Sequence, residues 1–181
     1  PVPTKFGDQV SGDNLIRTRA NDDEPDPYIH GNGNGLVMAD EATGILSIFP
    51  KSSRNYWRML EAPKDFQGPY VKNVNFYCDN EPALIKAARR CGWRNNTSTV
   101  GCPRTNGVIE RRVRIVKEGV RTLLLQSGLS PKYWAYAAEC FCHAHNIAIK
   151  DGDSAWNKRH KRGHFEGSQF PFGALVSFMP Q

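Results

Sequence analysis

The sequence predicts an α/β domain built on a mixed sheet, and three observations carry that prediction. Two short β-type runs are joined by the turn EATG and read as a hairpin. From residue 72 onward, strand-like and helix-like segments alternate. The longest helical segment, 108–126, keeps one apolar stripe along its length. The hairpin makes the start of the sheet antiparallel, and the alternation that follows makes the whole sheet mixed.

The elements follow in order. Residues 6–17, FGDQVSGDNLIR, read as a first strand. Residues 18–35 contain NDDEPDP and HGNGNG, all acid and turn chemistry, and predict a mobile loop. The hairpin arms are 36–40 and the ILSIFP run after the turn. The segment SSRNYWRMLEAPKDF predicts a short helix that Pro63 ends or kinks. In 72–79, Val74, Phe76 and Cys78 face one way, and Asn75, Tyr77 and Asp79 the other. Residues 81–91 form a helix with Pro82 in the first turn and Gly92 just past the end. RNNTSTV, 94–100, is a further strand, and the loop GCPRTNG leads into the long helix.

In that helix Ile109, Val113, Val116, Val120 and Leu123 form the buried stripe. Glu110, Arg114, Lys117 and Arg121 repeat its spacing one residue later, about 100° around the helix. SGLSP closes the helix, and PKYWAYAAECFCHAHNIA begins another. Residues 151–165 are basic and polar, and PFGALVSF, 171–178, reads as a final strand. The chain divides into a core, 1–150, and a C-terminal extension, 151–181.

The charge is unevenly placed. Residues 1–81 carry 8 Lys/Arg against 12 Asp/Glu, and residues 82–181 carry 16 against 6. An acidic half joined to a basic half suits a metal site beside nucleic acid, and equally a set of solvated faces. The apolar runs fall far short of a membrane span, and no secretory signal opens the chain. Five cysteines without framework spacing favour reduced thiols. Cys140, Cys142, His143 and His145 lie close in sequence, but helical neighbours at that spacing point in different directions. Core packing is the stronger reading of that cluster than a zinc site.

Two acids carry the chemical reading. Asp79 ends a strand in FYCDN, and Glu110 lies in the first turns of a helix in TNGVIERR, with 30 residues between them. Acids placed so can converge on divalent metal, and two such ions can run phosphodiester chemistry. The competing structural reading has Asp79 capping helix 81–91 and Glu110 complementing the dipole of helix 108–126. Arg111, Arg114 and Lys117 near Glu110 point to a phosphate-backbone substrate, contacted without much sequence reading. Asn106 can cap the helix entry.

Asp79-Asn80, TSTVGCPRTNGVIERRVRIVKEG, RTLLLQSGLSPKYWAYAAECF and FEGSQFPFGALVSFMP together resemble the catalytic core of copia-type retrotransposon integrases. The resemblance runs through roughly 6–180. It implies a ribonuclease H-like fold with a five-stranded mixed sheet flanked by helices. It also implies a triad of acids binding two Mg²⁺ or Mn²⁺ ions, and cutting and joining of DNA ends. Asp79 and Glu110 match the second and third acids. Asp13 fits the first best, with Asp8 and Asp40 as alternatives. Arg111, Arg114, Lys117, Arg121 and Asn106 are the candidate DNA contacts, and Lys117 matches a position that touches the transposon end. The partners implied are double-stranded DNA and a second copy or more of the chain, without a membrane. The place implied is intracellular: the nucleus for integration, after a cytoplasmic particle. Gly101-Cys102-Pro103 departs from the family, whose members carry an aromatic or His before that proline. A core that keeps DNA binding or dimerisation without catalysis is the alternative function. A ribonuclease H-type nuclease is a third, although no fourth carboxylate stands out beside the triad.

Overall fold

The computed structural model describes residues 2–16, 29–52, 56–69, 71, 74–97 and 107–177. The predicted loop 18–35 falls mostly outside them, as does 101–106, which holds Asn106 and the Gly101–Pro103 departure.

Five strands form the main sheet: β1 (Val10–Ile16), β2 (Asn34–Asp40), β3 (Leu46–Lys51), β4 (Asn75–Cys78) and β5 (Arg94–Thr97). Their order is β3-β2-β1-β4-β5. β1 pairs antiparallel with β2 and parallel with β4, and β4 runs parallel to β5. The hairpin is β2–β3, with Ala39 opposite Leu46. The mixed sheet read from the sequence is therefore the observed one.

Strand alternation gives the sheet two apolar faces. Val10, Leu36, Met38, Phe76 and Cys78 point to one side. There they meet α1 (Tyr56–Gln67) and α2 (Pro82–Arg90) through Met59, Phe66 and Leu84. Leu15, Val37, Leu46 and Ile48 point to the other side. α3 (Gly107–Ser127) and α4 (Trp134–Ile147) cover that face with Ile109, Val113, Val116, Val120 and Trp134. Each fully buried side chain of this size contributes about 1.5–3 kcal/mol through lost water contact, so these stripes fix which way each helix faces. Trp134 is also anchored by its indole N–H, which donates to the Asn32 carbonyl at 2.6 Å.

α4 is fastened to the sheet edge by one side chain. The Asn146 carboxamide accepts from the Leu46 N–H and donates to the Leu46 carbonyl, both at 2.8 Å. Beyond α4 come a short hairpin, β6 (Ile149–Lys150) and β7 (Asp153–Ser154), and α5 (Ala155–His160). Arg159 on α5 donates to the Phe66 carbonyl at 2.7 Å and lies over the Phe6 ring, 4.0 Å from its centre. It ties the segment after residue 150 to the start of the chain and the end of α1.

Three local readings need correction. Pro63 does not end α1, which runs on to Gln67. Burial of Met59, Ala62 and Phe66 along one stripe outweighs the roughly 3 kcal/mol that an interior proline costs. Residues 171–177 of PFGALVSF form a turn and irregular chain, not a strand; Phe178 lies outside the described residues. Leu175 is 99% exposed there. The first strand begins at Val10 rather than residue 6, because Asp8 folds the preceding residues into a turn.

Candidate active site

The register of two parallel strands builds the centre of the site. Gly12 on β1 stands opposite Cys78 on β4. The next residues, Asp13 in the middle of β1 and Asp79 just past the end of β4, therefore lie side by side where the parallel pairing stops. They share the face that α3 covers, since Leu15 on that same alternation packs with Ile109 and Val113. In open α/β sheets this end of the parallel strands is where ligands bind. Gly12 allows the close packing beneath: a Cβ there would come within 2.6 Å of the Phe76 ring.

Asp13 is half-buried, and its Oδ1 accepts from the Asn14 N–H at 2.7 Å. Burial pushes its carboxyl up to about 6. The charges of Asp79 and Glu110 add to the rise, while the Asn14 amide and the Lys117 ammonium oppose it. One carboxyl thus senses both other acids and the cation on α3. Asp79 is also half-buried, and its Oδ1 has no hydrogen-bond partner among the described residues. Asp79 does not cap α2; the N-cap position belongs to Glu81. Glu110 lies in the first turn of α3, exposed, beside Ile109, which is 2% exposed and seats the helix on the sheet.

The other two candidates for the first acid sit elsewhere. Asp8 precedes β1 and accepts from the Thr4 and Lys5 amides at 2.9 and 3.0 Å, which hold its carboxyl below the usual range. Asp40 is fully buried at the end of β2, where it accepts from the Gly7 amide, the Thr43 amide and the Thr43 hydroxyl at 2.9, 2.8 and 2.7 Å. All of its partners are structural.

The metal question has two sides. Among the described residues no three His, Cys, Asp or Glu close into a metal-holding group. Asp13 and Asp79 are brought together, and Glu110 reaches them through its field rather than within a closed ligand shell. The donor chemistry nevertheless fits a hard divalent cation: carboxylate oxygens, one of them buried without a partner. The sequence cluster on α4 offers no second site. Cys142 is buried in the core, with burial pushing its thiol up to about 12, and His143 packs edge-on against Phe165 at 5.2 Å. Cys78, Cys91, Cys140 and Cys142 are all free thiols.

Along α3, Arg111, Arg114, Lys117 and Arg121 are exposed, and none pairs with an acid among the described residues. Arg112, on another face, pairs with Glu41 at 3.5 Å. No helix among the described residues is long and apolar enough to cross a membrane. Sequence reasoning missed Glu81, whose carboxylate is bonded by Asn14. An acid between Asn80 and a helix-starting Pro82 reads as an ordinary N-cap, so nothing in the local pattern signals its partner.

No protein-family model and no curated protein matches the sequence. Solved structures do. A chain of a simian T-cell lymphotropic virus intasome aligns with a TM-score of 0.67 at 15% identity, over 99% of this chain and 63% of that one. This protein therefore spans less than two thirds of that chain's length. The catalytic core domain of BIV integrase aligns with a TM-score of 0.59 at 14% identity, over 83% of this chain and 92% of that one. The HTLV-2 integrase catalytic core domain, in a dimeric form in complex with magnesium, aligns with a TM-score of 0.60 at 17% identity. That match covers 86% of this chain and 98% of the HTLV-2 domain. With its five-stranded mixed sheet and flanking helices, the chain has the ribonuclease H-like fold of retroviral integrase catalytic cores.

Proposed function

We propose that this chain is the catalytic core of a copia-type retrotransposon integrase, which processes DNA 3′ ends and joins them to target DNA. The observation that carries the reading is the β1–β4 register, which sets Asp13 beside Asp79, whose buried Oδ1 has no partner among the described residues. The TNGVIERR motif and the integrase-core fold support it. Asp13, Asp79 and Glu110 would hold two Mg²⁺ or Mn²⁺ ions. When bound, such ions supply activation of the attacking oxygen and charge neutralisation at the leaving oxygen. The exposed cations of α3 would hold the phosphates of a DNA end beside the acids. Assembly as a dimer or higher oligomer belongs to the same proposal.

The test is cleavage, joining and disintegration of branched DNA with Mg²⁺ or Mn²⁺. Glu110→Gln and Asp79→Asn are each expected to lower the rate by at least about 100-fold, roughly 3 kcal/mol of barrier. Equal rates in wild type and Glu110→Gln would overturn the assignment. The open arrangement of the acids favours one second reading, a core that binds DNA without cutting it. Salt-sensitive DNA binding with no cleavage in either metal would establish that reading instead.

A further inference from the structure

The α1/α2 side of the sheet, directly behind the paired acids, carries a polar contact that the apolar core does not require. Asn14 follows Asp13 on β1, so its side chain projects to this opposite side. There its Nδ2 donates to the Glu81 carboxylate, while its buried Oδ1 has no partner among the described residues. Glu81 stands two residues after Asp79, at the N-cap of α2. Glu81 makes no side-chain cap bond to its own helix, and its side chain reaches across to β1. Lys51, 5% exposed at the end of β3, is a third member, because its ammonium feels the Glu81 charge.

We propose that Asn14 and Glu81 form a clamp that sets the spacing of Asp13 and Asp79, and with it the affinity of the acid pair for a divalent cation. The inference rests on the function proposed above. Each clamp residue is covalently close to one acid: Asn14 through its own amide, which donates to Asp13 Oδ1, and Glu81 through the short link over Asn80. The last paired residues of the two strands in the described register are Gly12 and Cys78. Past them, no described ladder bond joins β1 to β4, and the side-chain bond takes over. Asn14 and Glu81 are positioning residues, since their side chains bond each other on the opposite side of the sheet from the acid pair. Hydrogen-bonded partners behind metal ligands typically change affinity or activity 10- to 100-fold when removed.

The clamp can be inverted without changing total charge. Asn14→Asp alone sets two carboxylates against each other. Asn14→Asp/Glu81→Gln restores a bond in which the amide of residue 81 donates to residue 14. Binding of Mn²⁺ alone, followed by electron paramagnetic resonance of the free ion, reads the effect. Glu81→Ala and Asn14→Asp are expected to weaken Mn²⁺ binding about tenfold, and the inverted pair to return within about threefold of wild type. An inverted pair as weak as Asn14→Asp, or a Glu81→Ala protein that binds Mn²⁺ like wild type, would overturn the clamp. Proton exchange of the Asn14 carboxamide, followed by NMR, separates this inference from the catalytic reading. Slow exchange in wild type and Glu81→Gln, and fast exchange in Glu81→Ala, supports the clamp even if wild type neither binds Mn²⁺ nor cuts DNA. Fast exchange in wild type overturns it even if the protein is an active integrase.

Discussion

Asp40 shows how one buried carboxylate organises a corner of the fold. It receives three hydrogen bonds, from residues at both the start of the chain and the turn between β2 and β3. Removing it strands those donors away from water. Asp40→Ala is expected to lower stability by about 3 kcal/mol, measured by urea unfolding; a loss under about 1 kcal/mol would show that the corner holds without it. Lys51 poses the opposite problem, a cation in the core. Its ammonium contacts the Met59 thioether at 3.2 Å, and burial pulls it from 10.5 down to about 8, against the pull of Glu81 and Glu61. Between pH 8 and 10.5 the unfolded chain binds more protons than the folded one, so stability rises with pH across that window. Below it the folded chain carries the full cost of the buried charge. Lys51→Met should therefore be more stable than the parent by about 2 kcal/mol at pH 7, allowing for partial solvent screening, and that advantage should shrink toward pH 10.5. A pH-independent difference in urea midpoints would show that Lys51 titrates normally.

At the scale of elements, the sequence was most readable where periodicity and chemistry agreed. The α3 stripe of Ile109, Val113, Val116 and Val120 is buried as its spacing implies, and Gly92 sits past α2 with a φ of 75°. The strand face of Val74, Phe76 and Cys78 is buried as well. The misses share one cause: tertiary contacts that local pattern cannot report. Pro63 is carried through a helix by its buried neighbours, and 171–177, despite its strand-like composition, forms a turn and irregular chain. For the candidate site, Asp79 and Glu110 stood out from strand and helix position, and the sequence already favoured Asp13 over Asp8 and Asp40; the β1–β4 register adds that Asp13 lies beside Asp79. Asn14 and Glu81 were not legible, because a bond across 67 residues leaves no mark in either local segment. Gly119 illustrates a contact between elements. It is buried where α3 meets α4, and a Cβ there would overlap the Phe141 ring. Gly119→Ala should therefore lose about 1–2 kcal/mol from crowding despite better helix propensity. In a Phe141→Leu background the same change should turn neutral or stabilising, by up to about 1 kcal/mol. Denaturant midpoints that fell equally in both backgrounds would place the strain elsewhere.

For the whole molecule, Asp13 and Asp79 lie beside each other on the face that α3 covers, and the exposed cations of α3 continue along that helix from Glu110 in its first turn. A duplex lying on α3 would bring phosphates to the cations and one end to the acids. Binding to non-specific duplex DNA should weaken steeply with salt. The slope should fall by roughly one counterion for each of Arg114, Lys117 and Arg121 changed to Gln. Affinity that held constant between about 50 and 200 mM salt would remove α3 from the interface.

The Asn146 carboxamide also has a consequence at the margin of the sheet. β3 is the outermost strand on its side of the sheet, and such a margin offers unpaired amides and carbonyls on which another chain can template. At Leu46 both groups are already taken by Asn146. One side-chain amide stands where an invading strand would begin its ladder, so the same asparagine that docks a helix also guards the sheet against aggregation.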